Sequence, residues 1–443
     1  MAEGHFGALL RKIEDKSARI GIIGLGYVGL PLAMEFCKAG FFVDGFDISQ
    51  RKVDLLARGQ SDVDDVSAET VRKFVDRGTF MPTTDDSVLA GDDVIIICVP
   101  TPLSRFKDPD VSYIQDAVDR IIKNIHPGLL VILESTTYPG TTRELIAEPI
   151  EKAGYEVGKD VFVVFSPERV DPGNPNYHTG NTPKVVGGIT QSCTNLGVAL
   201  YLTFLPKVVP VSSPDTAEMV KLLENTFRSV NIALANEMAM ICEKLGIDVW
   251  EVIEAAATKP FGFMPFYPGP GVGGHCIPID PHYLSWKMRE KNFYAHFIEL
   301  AGEINYNMPT VVVNEIAKHL NDHDKHLKGA TVLVLGVAYK PNISDVRESP
   351  ALEVIKHLVE WGANVIYNDP YVPKIAFGED VLESAELSEE LLREADIVVI
   401  ATNHKDYDYQ WIYQHANLIY DSRNAYGGFA DPEGKIARLG APK

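Results

Sequence analysis

The stretch RIGIIGLGYVGLPLAMEF, residues 19–36, constrains this chain more than any other part of it. An apolar, β-rich run ends at Gly24, Gly26 and Gly29, and a helix-like segment follows directly. In a strand that turns into a helix at this spacing, the first glycine permits a tight turn and the second lets backbone approach a pyrophosphate. The third lets helix and strand pack closely. The helix start then offers free N–H groups to phosphate. Asp47, at the end of FFVDGFD, stands where a carboxylate accepts hydrogen bonds from ribose hydroxyls and repels a 2′-phosphate, so NAD is expected rather than NADP. Tyr27 and Val28 in the turn and Lys52 just beyond Asp47 complete the expected contacts at this end.

Similar apolar runs recur from Arg19 to about Val211 (FFVDGFD, DDVIIICVP, LLVILEST, VFVVFSPE), alternating with helix-like stretches. Continuous apolar strands of this kind indicate a parallel sheet covered on both faces. Then the rhythm changes. TAEMVKLLENTFRSVNIALANEMAMICEKLG carries apolar residues at three-to-four spacing and predicts one long helix, with Asp215 and Thr216 as capping residues and Gly246 as its stop. From Lys328 a second, smaller α/β rhythm begins. The expected architecture is α/β: two Rossmann-like doubly wound domains joined by a helical connector with a long central helix. The expected boundaries are 1–211, 212–310 and 311–443, and the long helix suits a dimer interface.

At 443 residues the chain exceeds what one core supports. Its formal charge of −20 opposes binding to nucleic acid or anionic lipid, both polyanions. It leaves open an anionic small molecule held by a local cradle of N–H groups and cations. The five cysteines are odd in number and lack CxxC spacing, so neither a disulfide framework nor a metal site is expected. No apolar run is long enough for a signal peptide or a span, and a soluble cytoplasmic protein is expected.

A second motif, GPGVGGHCIPIDPHYL, sets Cys276 after a glycine-rich loop, Gly269 to Gly274, with Asp280 four residues further on. Such a loop is expected to be flexible and to wrap an anionic substrate with backbone N–H groups.

Taken in order, GLGYVGLP, CVPTP, ST followed by PGTT, SPER, KLLENTF, GPGVGGHCIPIDP and GVAYKPNISDVRESP resemble the UDP-glucose/GDP-mannose dehydrogenase family over nearly the whole chain. The resemblance implies oxidation of a sugar CH2OH to a carboxylate with two NAD, through a thiohemiacetal and a thioester on Cys276. It implies that Lys221 stabilises oxyanions on C6, with Asn225 one turn later. Asp280 and Glu168 are the carboxylates associated with water and thioester hydrolysis, and Thr136 lies near the nicotinamide. Pro100, Thr101 and Arg347 join the cofactor contacts. Arg169, Gly271, Gly273, Tyr339, Lys340 and Arg423 join the substrate contacts of a UDP-sugar-binding third domain.

Phe266 and Tyr267 stand where UDP-glucose enzymes carry a basic residue, and Pro172 stands where they tend to carry a second acid. The loop PFGFMPFYPGPGVGGHCIPIDPHYL resembles the branch acting on UDP-N-acetylglucosamine, an aromatic-rich loop suiting an N-acetyl methyl. UDP-N-acetylmannosamine, UDP-glucose and GDP-mannose are the neighbouring alternatives. A silent nucleotide-sugar-binding protein and a two-electron hydroxyacid dehydrogenase are the readings of another kind.

Overall fold

The computed structural model describes residues 4–442 except 105–107, 172, 173, 175 and 379, so Pro172 lies outside the described residues. The chain divides into two compact units, one formed by residues 1–224 with 286–293 and the other by 225–285 with 294–443. Residues 212–310 are thus shared between the units.

The first unit holds an eight-stranded sheet of β1 (Arg19–Ile23), β2 (Phe42–Phe46), β3 (Phe80–Thr83), β4 (Val94–Ile97), β5 (Leu130–Leu133), β6 (Phe162–Phe165), β7 (Lys184–Gly188) and β8 (Val208–Val211), in the order β3-β2-β1-β4-β5-β6-β7-β8. Strands β4, β5 and β6 are buried at every position, which is why they read as unbroken apolar runs rather than alternating ones. The expectation of a purely parallel sheet needs one correction. β7 runs antiparallel to β6, pairing Val164 with Gly188 and Phe165 with Gly187. Pro82 and Pro210 fall on the two edge strands, where a missing N–H removes no ladder bond that the sheet needs.

The second unit carries β9 (Thr331–Leu335), β10 (Asn364–Asn368), β13 (Ile397–Ile400), β14 (Ile419–Asp421) and β15 (Ile436–Arg438) as a parallel sheet in the order β10-β9-β13-β14-β15. Between β10 and β13, β11 (Lys374–Phe377) and β12 (Asp380–Glu383) form an antiparallel hairpin. Val332 and Val334 of β9 pack into one core, and Leu333 and Leu335 into another on the opposite face. The first of these cores also takes Ala239, Cys242 and Trp250 from the connector. No helix among the described residues is long and apolar enough to cross a membrane.

The predicted long helix is α1, Pro214–Leu245, 32 residues. Its cap differs from the expectation. Ser213 Oγ, not Asp215 or Thr216, accepts the Thr216 N–H at 3.1 Å, and Pro214 opens the first turn, where its missing N–H would have had no partner. Gly246, at φ 73°, ends the helix, and the Ile247 N–H closes on the Cys242 carbonyl at 3.0 Å.

Glu218, in the first turns of α1, ties it to the loop after β5. Its carboxylate accepts the N–H groups of Gly140 (2.7 Å) and Thr142 (2.9 Å) and the Thr142 hydroxyl (2.6 Å). Burial raises this carboxyl to about 7 despite those donors. A group raised in the folded state stabilises most below its unfolded value and loses that contribution as pH climbs through the folded one. Thermal unfolding of the wild type should therefore show a fall between pH 5 and pH 8 that Glu218→Gln lacks. Glu218→Ala, which strands two N–H groups, should cost on the order of 1–3 kcal/mol at either pH.

Candidate functional site

Steric demands fix the turn after β1. Gly24 has φ 94°, and a Cβ there would lie 2.6 Å from the Cys98 carbonyl oxygen; a Cβ on Gly29 would lie 1.9 Å from the Gly24 carbonyl oxygen. A Cβ on Gly26 would meet nothing within 4 Å, so the middle of the turn faces open space of the kind a pyrophosphate needs. Asp47 follows β2, with Oδ2 accepting the Leu25 N–H (3.0 Å) and Oδ1 the Ser49 N–H (2.9 Å). Lys52 is not a solvated bystander: its Nζ donates to the Leu25 carbonyl (3.3 Å) and pairs with Asp62 (3.0 Å). Tyr27 is exposed, and Val28 and Thr101 are half-buried. Glycines, carboxylate and open turn fit NAD.

Around this turn the loops after the strands converge. Ser135 Oγ donates to the Val99 carbonyl at 2.8 Å, tying the loop that bears half-buried Thr136 to the one that bears Pro100. Past β6, Glu168 Oε1 accepts the N–H groups of Arg169 (2.7 Å) and Val170 (2.8 Å). Burial pushes the Glu168 carboxyl up, but Lys184, these two donors and Lys221 outweigh it and hold the group below its ordinary value. The Arg169 guanidinium is engaged by Glu224 (2.5 Å) and the Pro183 carbonyl (2.8 Å). Lys221 is buried, although a mid-helix lysine would ordinarily be solvated.

In the second unit Cys276 sits at the head of a turn. The Asp280 N–H bonds to its carbonyl at 2.8 Å, and Asp280 opens the helix Asp280–Arg289. The Asn225 amide donates to Asp280 Oδ2 at 2.5 Å, both side chains being buried, so one Asn225 N–H serves to orient that carboxylate. Cys37, Cys98, Cys193 and Cys242 are all buried, and among the five cysteines Cys276 alone is partly open. Burial pushes the Cys37 thiol up to about 12 and Cys98 well above its ordinary value, which leaves neither thiol nucleophilic.

The loop before Cys276 is closely packed and hydrogen-bonded. Its glycines mark places without room. A Cβ on Gly273 would lie 2.6 Å from Tyr339 Cβ and 2.8 Å from the Glu348 carbonyl oxygen, and one on Gly271 would lie 2.9 Å from Pro350 Cβ. The Gly274 N–H bonds to the Arg347 carbonyl (3.0 Å) and the Gly269 N–H to Asn236 Oδ1 (2.9 Å). Asn236 in turn donates to Asn305 (2.9 Å), and Asn305 to the Ser229 carbonyl (3.1 Å). Tyr267 stacks on Trp250 with the ring planes 13° apart, and Phe266 packs edge-on to Phe227. Beside the loop, Arg423 donates to the Ala401 carbonyl (2.9 Å), and burial pulls its guanidinium down to about 10, still protonated at neutral pH. The Arg347 guanidinium is held by Asp345. Lys340, next to Tyr339, is half-buried.

Sequence reasoning missed the buried polar frame: Lys184, Glu134, Tyr201, Glu218, Asn236 and Asn305. It also missed a repeat of geometry. Asp369 follows β10 as Asp47 follows β2, and its Oδ2 accepts the N–H groups of Val337 (2.7 Å) and Ala338 (3.1 Å) after β9. Here, however, His404 Nε2 occupies the same oxygen at 3.0 Å and both side chains are fully buried, so this carboxylate is not offered to a ribose.

A glycine turn with open space at its middle and a carboxylate fixed beside it is the dinucleotide site of a nucleotide-dependent dehydrogenase. Comparison with known proteins gives the family. Residues 18–205 match the NAD binding domain of the UDP-glucose/GDP-mannose dehydrogenase family, residues 215–307 its central domain and residues 333–428 its UDP binding domain. The chain is 36% identical to Protein CapL of Staphylococcus aureus over 91% of this chain and 95% of that one. It is 37% identical to a UDP-N-acetyl-D-mannosamine dehydrogenase of Methanocaldococcus jannaschii over 90% and 89%. A solved UDP-D-ManNAc dehydrogenase from Pyrococcus horikoshii superposes with a TM-score of 0.87 at 34% identity, over 96% of this chain and 99% of that one. The chain belongs to the UDP-glucose/GDP-mannose dehydrogenase family and is an NAD-dependent nucleotide-sugar dehydrogenase.

The two glycines of the turn should separate on substitution. Gly29→Ala places a methyl against backbone and should lower the unfolding midpoint markedly. Gly26→Ala should leave that midpoint within a degree or two, since a new methyl in open space costs little, yet weaken NAD binding at least about tenfold by occupying pyrophosphate space, about 1.4 kcal/mol. Scanning calorimetry and NAD titration calorimetry on both variants check this.

Proposed function

We propose that this enzyme oxidises C6 of UDP-N-acetyl-D-glucosamine to give UDP-N-acetyl-D-glucosaminuronate, a precursor for surface polysaccharide. The observation that carries the reaction is the partly open Cys276, one turn before a buried Asp280 that Asn225 orients. NAD, when bound, accepts a hydride at each of two oxidations. Lys221 stabilises the oxyanion on C6 as the alcohol loses its proton. The Cys276 thiolate adds to the aldehyde, and loss of a second hydride and the hydroxyl proton leaves a thioester. Water oriented by Glu168 or Asp280 then attacks, releasing carboxylate and thiol. Thr136 stands on the loop expected beside the nicotinamide. Tyr339, Lys340 and Arg423 hold the UDP end beside the glycine loop, whose Gly271 and Gly273 let it pack against the Tyr339 and Pro350 segments.

The choice of sugar rests on PFGFMPFYPGPG, whose aromatic side chains suit an N-acetyl group. A second reading, UDP-N-acetyl-D-mannosamine, is favoured by the names of the relatives; the two sugars differ only in configuration at C2. The protein would work in the cytoplasm as a homo-oligomer. Along α1, Met219, Leu223, Phe227, Leu234, Ile241 and Leu245 are exposed at helical spacing, an apolar stripe of the kind a second copy covers.

Purified enzyme given UDP-N-acetylglucosamine should release two NADH per sugar consumed, and Cys276→Ser should abolish the second. Turnover with the mannosamine epimer alone would move the substrate and keep the chemistry, while one NADH per product would remove the thioester route. Sedimentation should show a dimer or larger, and Leu223→Glu with Leu234→Glu should yield monomer.

A further inference from the structure

Beneath Glu168 lies a set of charges that no step above employs. Lys184 begins β7 with its side chain 3% exposed, and its Nζ reaches Glu134 Oε2 at 2.6 Å and Glu168 Oε2 at 3.6 Å. Glu134, fully buried after β5, is also hydrogen-bonded by the Tyr201 hydroxyl through its other oxygen. A buried ammonium is tolerated only when well paired, and this one sits between two carboxylates. Glu168 Oε1 is occupied by two backbone N–H groups, whereas Oε2 is buried and accepts no hydrogen bond from the described residues. One oxygen is fixed, and the other, ion-paired with Lys184 at 3.6 Å, accepts no hydrogen bond from the described residues and so can accept one from a water.

We infer that Lys184 is a positioning residue for thioester hydrolysis: clamped by Glu134, it keeps Glu168 anionic and Oε2 aimed at the attacking water. This rests on the hydrolytic role proposed for Glu168. The charged and titratable groups facing Glu168 are Lys184, Lys221, Glu134 and Cys98, with Tyr201 behind Glu134. Burial alone would raise the Glu168 carboxyl, but Lys184 first, then the Val170 and Arg169 N–H groups, then Lys221 hold it below its ordinary value. With no cation at position 184, Glu168 should take up a proton at higher pH. Hydrolysis then slows in acid, while the two hydride transfers, which need Cys276 and Lys221, proceed.

The test compares wild type, Lys184→Met, Lys184→Arg and Glu168→Gln with whichever of UDP-N-acetylglucosamine and UDP-N-acetylmannosamine is turned over. NADH is followed through the first turnover and the steady state from pH 5.5 to 8.5, and acid-quenched protein is weighed by mass spectrometry for the adduct on Cys276. Lys184→Met should shift the acid limb of the steady-state rate upward by about one pH unit. At pH 6 it should accumulate adduct at least about threefold above wild type, by the same reasoning, and should return to the wild-type level at pH 8. Lys184→Arg should keep the wild-type limb. If Lys184→Met fails to fold with Glu134 left unpaired, Glu134→Gln with Lys184→Met removes both charges and should show the same shift. An unchanged acid limb in the folded variant, or a methionine-like shift in the arginine variant, would overturn the inference. Glu168→Gln separates the two ideas: wild-type hydrolysis there removes the role on which the inference rests, and stalled adduct there with an unshifted Lys184→Met removes the inference alone.

Discussion

A Cβ on Gly29 would stand 1.9 Å from the Gly24 carbonyl oxygen, and one on Gly273 would stand 2.6 Å from Tyr339 Cβ. Backbone approaching closer than a side chain permits is the constraint on which both units' functional residues depend. In the first unit it presses the helix start onto the turn, so that N–H groups and open space coincide. In the second it seats residues 269–274 against the Tyr339 and Glu348 segments, and Cys276 follows directly from that packed stretch. The same glycines that read as freedom in a sequence act here as the condition for close packing.

The second theme is buried charge held in compensated groups. Glu134, Lys184 and Glu168 lie together in the first unit; Asp44 and Asp92 face Arg19; Asp369 and His404 pair in the second unit. Desolvation disfavours each charge alone, and the partner restores it only where geometry is good. Asp92 shows the cost of an imperfect match: burial, and then the neighbouring Asp44, push its carboxyl up to about 8. Such groups are expensive to leave unpaired, so they pin loops as firmly as apolar contacts do.

Much of the fold was legible because it is periodic. Strands β1, β2, β4, β5 and β6, and α1 to its glycine stop, follow from apolar runs and helical spacing that one sequence displays. β7 gives little sequence signal, because KVVGG opens with a lysine and ends in glycines, and nothing local reveals that Lys184 is buried or that the strand is antiparallel to β6. Ser213, Asp215 and Thr216 are all good caps, and Pro214, suited to the first helical position, is the sequence feature that selects Ser213. At the site, Cys276, Asp280, Lys221 and Glu168 were recognisable by motif. Their orienting partners were not, since Glu134 lies 50 residues from Lys184, and Asn225 lies 55 from Asp280. Pairings at such separation leave no spacing to read.

Asp47 carries one consequence further. Both its oxygens already accept backbone N–H groups, so its rotamer is set before any cofactor arrives. Ordering a rotamer-rich side chain at an interface costs roughly 0.5–1.5 kcal/mol, and here that entropy was lost once, on folding, rather than at each association. For an enzyme that must admit a fresh dinucleotide twice within one cycle of the proposed reaction, this favours quick capture without demanding tight retention. The spent cofactor meets no side chain at Asp47 that must relax before it leaves.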